Sequence, residues 1–187
     1  MKKKIAVFAS GNGSNFEAIA KACKQQRINA EVAICICDHP GAYVTERAKK
    51  LNIPELELHP KSFPSKQEYE RAILKQLTEL NIEFIALAGY MRIIGEVLLK
   101  AYEGRIINIH PSLLPSFPGV DAIGQALSYG VKVFGVTVHY VDQTLDGGKI
   151  ISQVAIPYDG DNREELETMV HAREHALYVS TLKNLLQ

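Results

Sequence analysis

Two polar residues, Asn108 and His110, interrupt the apolar segment RIINIH just before the proline-rich stretch PSLLPSFPG. Successive side chains of a β-strand point to opposite faces, so these two share one face while Ile107 and Ile109 share the other. A single buried histidine is more often structural than catalytic. An amide that can donate to a developing oxyanion, on the same face as an imidazole that can exchange protons near neutral pH, favours chemistry at this strand end.

Asp146, in TLDGGK, is the third candidate for this chemistry. By itself, an aspartate before glycine is a common turn residue. If the fold brings its carboxylate to His110, the carboxylate would favour the imidazolium form and orient the ring. Neither Ser112 nor any cysteine has the setting of an activated nucleophile. The trio therefore predicts direct attack by a substrate amine or by water.

A glycine-rich loop, GNGSN at residues 11–15, follows the first predicted strand. Its glycines permit a sharp turn, Ser14 or Asn15 can cap the next helix, and the helix N-terminus attracts an anion such as one phosphate. An ordinary strand-to-helix turn is the alternative. A dinucleotide site is disfavoured because Phe16 replaces the third glycine of G-x-G-x-x-G, although Asp38 after the second strand keeps that alternative open. The loop follows the carboxyl end of a strand, where open α/β sheets bind ligands, which favours the phosphate site.

The other histidines give no metal-binding pattern. His139, in TVHYV, shares a strand face with Thr137, and it either supports the site from behind or belongs to the core. His171 and His175 have i, i+4 spacing but no glutamate in HExxH order. We therefore predict that no metal is bound.

Strand and helix signals alternate along the chain. The predicted strands are KIAVFA, EVAICIC, ELEL, EFIALA, RIINIH, VFGVTVHYV and KIISQVAI, and the predicted helices cover about 15–25, 42–51, 66–80, 95–102, 121–129 and 163–186. This order predicts a single-domain, Rossmann-like α/β fold: a mostly parallel twisted sheet of about seven strands with helices on both faces and an antiparallel pair near the C-terminus. Within residues 1–187, we expect the phosphate-binding half at about 1–100 and the catalytic half at about 85–187.

The last helix carries an apolar stripe that should pack on the sheet. The predicted members of the stripe are Leu166, Met169, Val170, Ala176, Leu177 and Leu185.

Composition indicates a protein that binds small molecules in a reducing compartment. Its 187 residues contain 21 Lys and Arg against 21 Asp and Glu, which argues against general binding to nucleic acid or to anionic membranes. The apolar stretch near the start, residues 5–9, is too short for a secretory signal. The three cysteines include no CxxC pair, so we expect free thiols in a cytoplasmic protein.

The motifs ASGNGSNFEAI, AGYMRI, INIHPSLLPSFPG, GVTVHYV, LDGGKIISQ and EHALY occur in an order that resembles the phosphoribosylglycinamide formyltransferases, folate-dependent enzymes of purine synthesis. The resemblance covers about residues 5–180. It implies formyl transfer from 10-formyltetrahydrofolate to the amine of glycinamide ribonucleotide, by direct amine attack through a tetrahedral intermediate and without a metal.

The same resemblance implies roles for individual residues. The catalytic trio would be Asn108, His110 and Asp146. The ribonucleotide would be held by Gly11, Asn12, Gly13, Ser14, Asn15 and Glu174, and the folate by Met91, Arg92, Ile93, Ile94, Asn108 and Lys66. This sequence departs from relatives in having Lys66 where some carry arginine, and in lacking the proline that often follows the tyrosine of EHALY.

Four other functions share some of these features. A formyltetrahydrofolate hydrolase would use the same trio with water as acceptor, but that family usually has HHS in place of HPS and a longer chain. A methionyl-tRNA formyltransferase would carry a further domain and a basic RNA surface, and another relative could formylate a different amine, such as a sugar nucleotide. A nucleotide-sensing module without chemistry would not need the trio. The resemblance implies small-molecule partners, and we expect a monomer or homodimer.

Overall fold

The computed structural model describes residues 2–187 as one sheet with helices on both faces. The strands are β1 Lys3–Ala9, β2 Ala30–Cys37, β3 Glu55–Glu57, β4 Phe84–Leu87, β5 Ile106–His110, β6 Val133–Tyr140 and β7 Ile150–Pro157. The helices are α1 Ser14–Lys24, α2 Tyr43–Lys50, α3 Lys66–Glu79, α4 Glu96–Ala101, α5 Ala122–Tyr129 and α6 Arg163–Leu185. All seven predicted strands and all six predicted helices are confirmed. Among these helices none is long and apolar enough to cross a membrane.

The seven strands have the order β3-β2-β1-β4-β5-β6-β7. Pairing is parallel from β3 to β5 and antiparallel for β5 with β6 and for β6 with β7. The predicted α/β fold with an antiparallel C-terminal pair is therefore confirmed. The strand order reverses between β1 and β4, and in such sheets the crevice at the carboxyl ends of the strands at this point binds ligands.

Alternation along β1 separates two apolar layers. Ile5 and Val7 face the layer formed with α1, α2, α5 and α6, whereas Ala6 and Phe8 face the layer formed with α3 and α4. Because both faces of this strand are covered, it is apolar at nearly every position, as parallel strands typically are. The same alternation in β5 sends Ile107 to the first layer and Ile106 to the second.

The buried face of α6 differs from the predicted stripe. Leu166 and Val170 are fully buried, but Met169 and Ala176 are exposed, so their assignment to the stripe was wrong. The buried face continues instead through Glu174 and Tyr178, four residues apart, because positions at i and i+4 lie on the same side of a helix. These two polar residues can lie on the buried face because each makes a hydrogen bond in the interior.

Tyr178 links α6 to the centre of the sheet. Its buried hydroxyl donates to the carbonyl oxygens of Leu87 (2.8 Å) and Ile107 (3.2 Å), on neighbouring strands. We expect Tyr178→Phe to lower the free energy of unfolding by about 1 kcal/mol, since a typical net hydrogen bond contributes that much. Urea unfolding measures the loss, and Tyr129→Phe, at an exposed tyrosine, should change stability by less than about 0.5 kcal/mol. Equal midpoints for the two variants would contradict the role assigned to the Tyr178 hydroxyl.

Candidate active site

A cavity of about 650 Å³ lies at the carboxyl ends of the central strands. This volume is in the range of sites that bind small molecules. The loops after β1, β4 and β5 line it, together with the β6–β7 loop and one face of α6. The predicted site residues in its lining are Gly11, Asn12, Gly13, Ser14, Asn15, Met91, Arg92, Ile93, Ile94, Asn108, His110, His139, Asp146 and Glu174. Of the predicted site residues, Lys66 alone lies outside the lining.

Asn108 and His139 are directly opposed in the antiparallel ladder of β5 and β6, so they lie on one face of the sheet. The Nδ1–H of His139 donates to the Tyr140 carbonyl (2.9 Å), and the Asn108 amide N–H₂ lies 3.3 Å from the Nε2 of His139. In the neutral ring, Nε2 accepts this bond. Burial lowers the pKa of His139, which favours that neutral form. His139 therefore fixes one amide hydrogen of Asn108 and leaves the other to donate elsewhere.

His110 has an oxygen atom near each ring nitrogen. Its Nε2–H donates to the Phe117 carbonyl (2.8 Å), and its Nδ1 lies 3.5 Å from Oδ2 of Asp146. A carboxylate oxygen is a partner for Nδ1 only if that nitrogen also carries a proton. The structure thus brings the Asp146 carboxylate within 3.5 Å of the His110 ring.

Asp146, in the loop between β6 and β7, lies near both histidines. Its Oδ2 accepts the N–H of Gly119 (2.7 Å), and its Oδ1 lies 3.7 Å from Nε2 of His139. The backbone of Asp146 is left-handed (φ 50°), a conformation that aspartate tolerates better than most residues. The loop thus brings the carboxylate back to His110, 36 positions earlier in the sequence, as the predicted chemistry requires.

The glycine loop presents a row of backbone N–H groups to the cavity. Within residues 2–187, no acceptor is found for the backbone N–H of Asn12, Gly13, Ser14 or Asn15. Gly13 is left-handed (φ 76°), and a Cβ there would lie 2.4 Å from the Val44 side chain. Only glycine allows the loop to approach α2 this closely.

Buried polar groups continue this wall of the cavity onto α6. The Asn15 amide donates to Oε2 of Glu174 (3.3 Å), and the buried Oδ1 of Asn15 has no partner among the described residues. Oε2 of Glu174 also pairs with Nδ1 of His171 (2.8 Å). Oriented backbone donors beside a buried amide and carboxylate suit a phosphoester that also carries hydroxyl groups.

The pairing of His171 with Glu174 predicts a dependence of stability on pH. The hydrogen bond to Glu174 raises the pKa of His171 above its usual 6.5. The pair therefore stabilises the fold fully below pH 6.5, and its contribution is lost as the pH rises through the folded-state pKa. We expect His171→Gln to lower the urea midpoint more at about pH 5.5 than at about pH 8.5.

The control for this prediction is His59→Gln, because the exposed His59 makes no ion pair among the described residues. A deficit in His171→Gln that is the same at both pH values would contradict the assigned pairing.

Three side chains from other elements hold the loop between β4 and α4. The Ser10 hydroxyl accepts the Met91 N–H (2.8 Å), and the buried Asp38 carboxylate pairs with Nε of Arg92 (2.8 Å). Glu70 of α3 accepts the Gly95 N–H. Because the Arg92 side chain is bound to Asp38, this loop offers the cavity its backbone groups and the apolar side chains of Met91 and Ile93.

Lys66 lies outside the cavity lining, whereas Arg92 lies within it. The exposed Lys66 begins α3 and lies beside Gly95, outside the cavity lining. A role for Lys66 in the site thus requires a ligand that extends beyond the mouth of the cavity.

An apolar rim surrounds the mouth of the cavity. Met91, Ile93, Val120 and Leu145 line the cavity, yet each is more than half exposed. Clustered exposed apolar side chains mark ligand-binding or interaction surfaces. Val120 and Leu145 could not be found from the sequence, because single apolar residues in loops carry no pattern.

None of the cysteines in this fold has the setting of an activated nucleophile. Burial raises the pKa of Cys23 to about 11 and raises the pKa values of Cys35 and Cys37, so all three remain thiols. The Ser112 hydroxyl donates to the Ser116 carbonyl (2.6 Å). Direct attack by an amine or by water thus remains the favoured chemistry. Among residues 2–187 there is no group of three or more His, Cys, Asp or Glu placed to hold a metal ion.

The loop between β5 and α5 supplies contacts that the sequence did not predict. It provides the Phe117 carbonyl to His110 and the Gly119 N–H to Asp146. Asp121 in this loop pairs with Arg163 of α6 across the lining. The contacts of the Phe117 carbonyl and the Gly119 N–H are made by the backbone, so they leave no signal in the residue types. The peptide bond between Leu114 and Pro115 in the same loop is cis.

Comparisons with known proteins extend over nearly the whole chain. The family model described as formyl transferase matches residues 3–182. The chain is 55% identical to phosphoribosylglycinamide formyltransferase of Bacillus subtilis, over 98% of this chain and 95% of that protein. It is 38% identical to the Escherichia coli protein of the same name, over 93% and 82% of the two chains. The crystal structure of glycinamide ribonucleotide transformylase 1 from Geobacillus kaustophilus matches with a TM-score of 0.97 at 53% identity, covering both chains fully.

Proposed function

Since the chain belongs to the formyl transferase family, we propose that it transfers the formyl group of 10-formyltetrahydrofolate to the amine of glycinamide ribonucleotide. The observation that carries this proposal is the convergence of Asn108, His110 and Asp146 in one cavity with a row of free backbone N–H groups. The three side chains suit attack at a carbonyl carbon, and the row of N–H groups suits binding of the acceptor's phosphate.

The two substrates would occupy different walls of the cavity. The ribonucleotide phosphate binds the backbone of residues 11–15, and Glu174 accepts hydrogen bonds from the ribose. The folate binds the backbone of residues 91–94 and the apolar rim, with its carboxylate end directed out of the cavity toward Lys66. The formyl carbon then lies near Asn108, between the two walls.

The reaction begins with attack of the substrate amine on the formyl carbon, which moves the carbonyl π electrons onto oxygen. Asn108 donates its free amide hydrogen to this oxyanion. His110 donates Nε2–H, which requires that proton to leave the Phe117 carbonyl for the substrate oxygen. Breakage of the bond between the formyl carbon and the folate nitrogen completes the transfer.

Proton balance gives Asp146 its role. The amine must lose a proton and the departing folate nitrogen must gain one. The carboxylate orients His110 and carries this proton, directly or through water. Removing one oxyanion donor costs about 2.7–4 kcal/mol of barrier in comparable sites, so Asn108 and His110 together account for a large part of the rate.

The proposed chemistry also bears on where the protein acts and what it needs. A pathway that consumes folate and nucleotide precursors, together with three free buried thiols, favours the cytoplasm. We expect that it acts without a metal, as a monomer or homodimer.

The experiment mixes the protein with 10-formyltetrahydrofolate, with and without glycinamide ribonucleotide, and follows tetrahydrofolate release by absorbance. We expect release only when the ribonucleotide is present. Release that does not depend on the amine would identify a hydrolase, and no release in either mixture would favour a binding module.

A further inference from the structure

Arg47 of α2 is the polar side chain most closely engaged with the glycine loop, although it lies outside the cavity lining. Its Nε–H donates to the Asn12 carbonyl (2.8 Å), and its Nη2 donates to Oδ1 of Asn12 (2.9 Å). Nη1 pairs with Glu17, one turn into α1. Arg47 therefore holds the loop and the helix that follows it through one guanidinium group.

The side chain of Arg47 is held by its surroundings. It is only 20% exposed, and its guanidinium stacks on the Tyr43 ring at 4.9 Å. A planar fork loses less conformational freedom per hydrogen bond than a flexible ammonium, so it can fix the orientation of a peptide group.

Peptide geometry connects these contacts to the cavity. In a planar trans peptide, the C=O and the following N–H point in opposite directions. The Gly11 carbonyl accepts the Val44 N–H (3.0 Å), and the Asn12 carbonyl accepts from Arg47. Both carbonyls are thus turned toward α2. The N–H groups of Asn12 and Gly13 consequently point away from α2, and both residues line the cavity on that other side.

We propose that Arg47 is a positioning residue of the phosphate site, holding the Asn12–Gly13 peptide so that its N–H faces the bound phosphoester. The inference rests on the proposed function for the identity of the ligand. The orphaned, buried Oδ1 of Asn15 in the same lining is an independent sign that this wall receives a hydrogen-bonding ligand. Arg47 does not touch the ligand in this arrangement, so its loss affects phosphoester binding and leaves the chemical step intact.

The test compares wild type with Arg47→Gln and Arg47→Lys. Calorimetric titration with ribose 5-phosphate should give a Kd about tenfold higher in Arg47→Gln, because two hydrogen bonds that orient the loop are lost. Lysine keeps the charge but not the fork, so Arg47→Lys should still be several-fold weaker than wild type. In the assay, KM for the ribonucleotide should rise with Kd while kcat and KM for the folate stay within about twofold.

The matched control is Arg71→Gln, which removes an exposed arginine paired with Glu68 on α3 and should change neither constant. Unchanged ribose 5-phosphate binding in Arg47→Gln would overturn the inference. Wild-type binding in Arg47→Lys would also overturn it, since charge alone would then suffice. Wild-type protein that transfers formyl groups but does not bind ribose 5-phosphate would overturn the inference and leave the proposed function standing. If the wild-type protein had no transferase activity but the Arg47 variants bound ribose 5-phosphate more weakly, the inference would stand and the proposed function would be wrong.

Discussion

Replacing His110 with alanine is expected to lower kcat by about 10²–10⁴-fold, the usual contribution of a positioned proton donor or acceptor. The ring lies between the Phe117 carbonyl and Asp146, and no other imidazole is placed to take over both contacts. His139 is the nearest alternative, but its Nδ1–H is bound to the backbone of Tyr140. Steady-state rates at saturating levels of both substrates measure the effect.

Asp146 supplies the control for this first prediction. Because Asp146 orients His110 as well as carrying the amine proton, the double variant His110→Ala/Asp146→Asn should lose less than the product of the two single losses, since residues that act as a unit are not additive. His59→Ala, at an exposed histidine outside the cavity lining, should retain the wild-type rate. Turnover of His110→Ala within a few fold of wild type would rule out the assigned role.

Replacing Asn108 with aspartate is expected to lower kcat by about 10²–10³-fold, because it removes an oxyanion donor while keeping the shape of the side chain. The amide bonds His139 with one hydrogen and has one left for the substrate. A carboxylate would have none in its ionised form and would repel the oxyanion. The measurement is kcat together with both KM values.

Asn108→Ala separates the donor from the added charge. It should also be impaired by about 10²-fold, although it introduces no charge. Loss in the aspartate variant with near-normal turnover in the alanine variant would show that charge repulsion, not donor loss, caused the defect. KM values close to those of wild type in both variants would place the loss in the chemical step.

Most of the fold could be predicted because local pattern and tertiary burial agree. Cys35 and Cys37 of β2 and Ile107 and Ile109 of β5 face the same layer, as alternation requires. Asp146 was the harder prediction, since only the antiparallel pairing of β6 with β7 returns its loop to His110. The turn signal at Asp146-Gly147 predicted the loop between β6 and β7, and the resemblance implied that Asp146 and His110 act together.

The predicted apolar stripe of α6 was wrong in part. Apolarity placed Met169 and Ala176 on the buried face of α6, but Glu174 and Tyr178 occupy it because their polar atoms find partners inside. Resemblance to relatives implied that Lys66 lies near the carboxylate end of the folate, and in the structure its side chain lies next to Gly95, outside the cavity lining.

Arg47 shows why other functional contacts escape sequence analysis. It is 35 positions from Asn12, on a helix whose sequence is typical of a solvated surface. Its role depends on the close approach of α2 to Gly13, which is a tertiary property. The same holds for Asp38 and Arg92, whose pairing joins the end of β2 to the loop after β4, 54 positions away.

In the proposed mechanism, the acceptor amine itself attacks the formyl carbon within this cavity. A single-turnover reaction with 10-formyltetrahydrofolate labelled with carbon-13 in the formyl group tests it directly by mass spectrometry. We expect the label to appear in formylated glycinamide ribonucleotide at the same rate as tetrahydrofolate is released. Label recovered as free formate, with the ribonucleotide left unmodified, would contradict it.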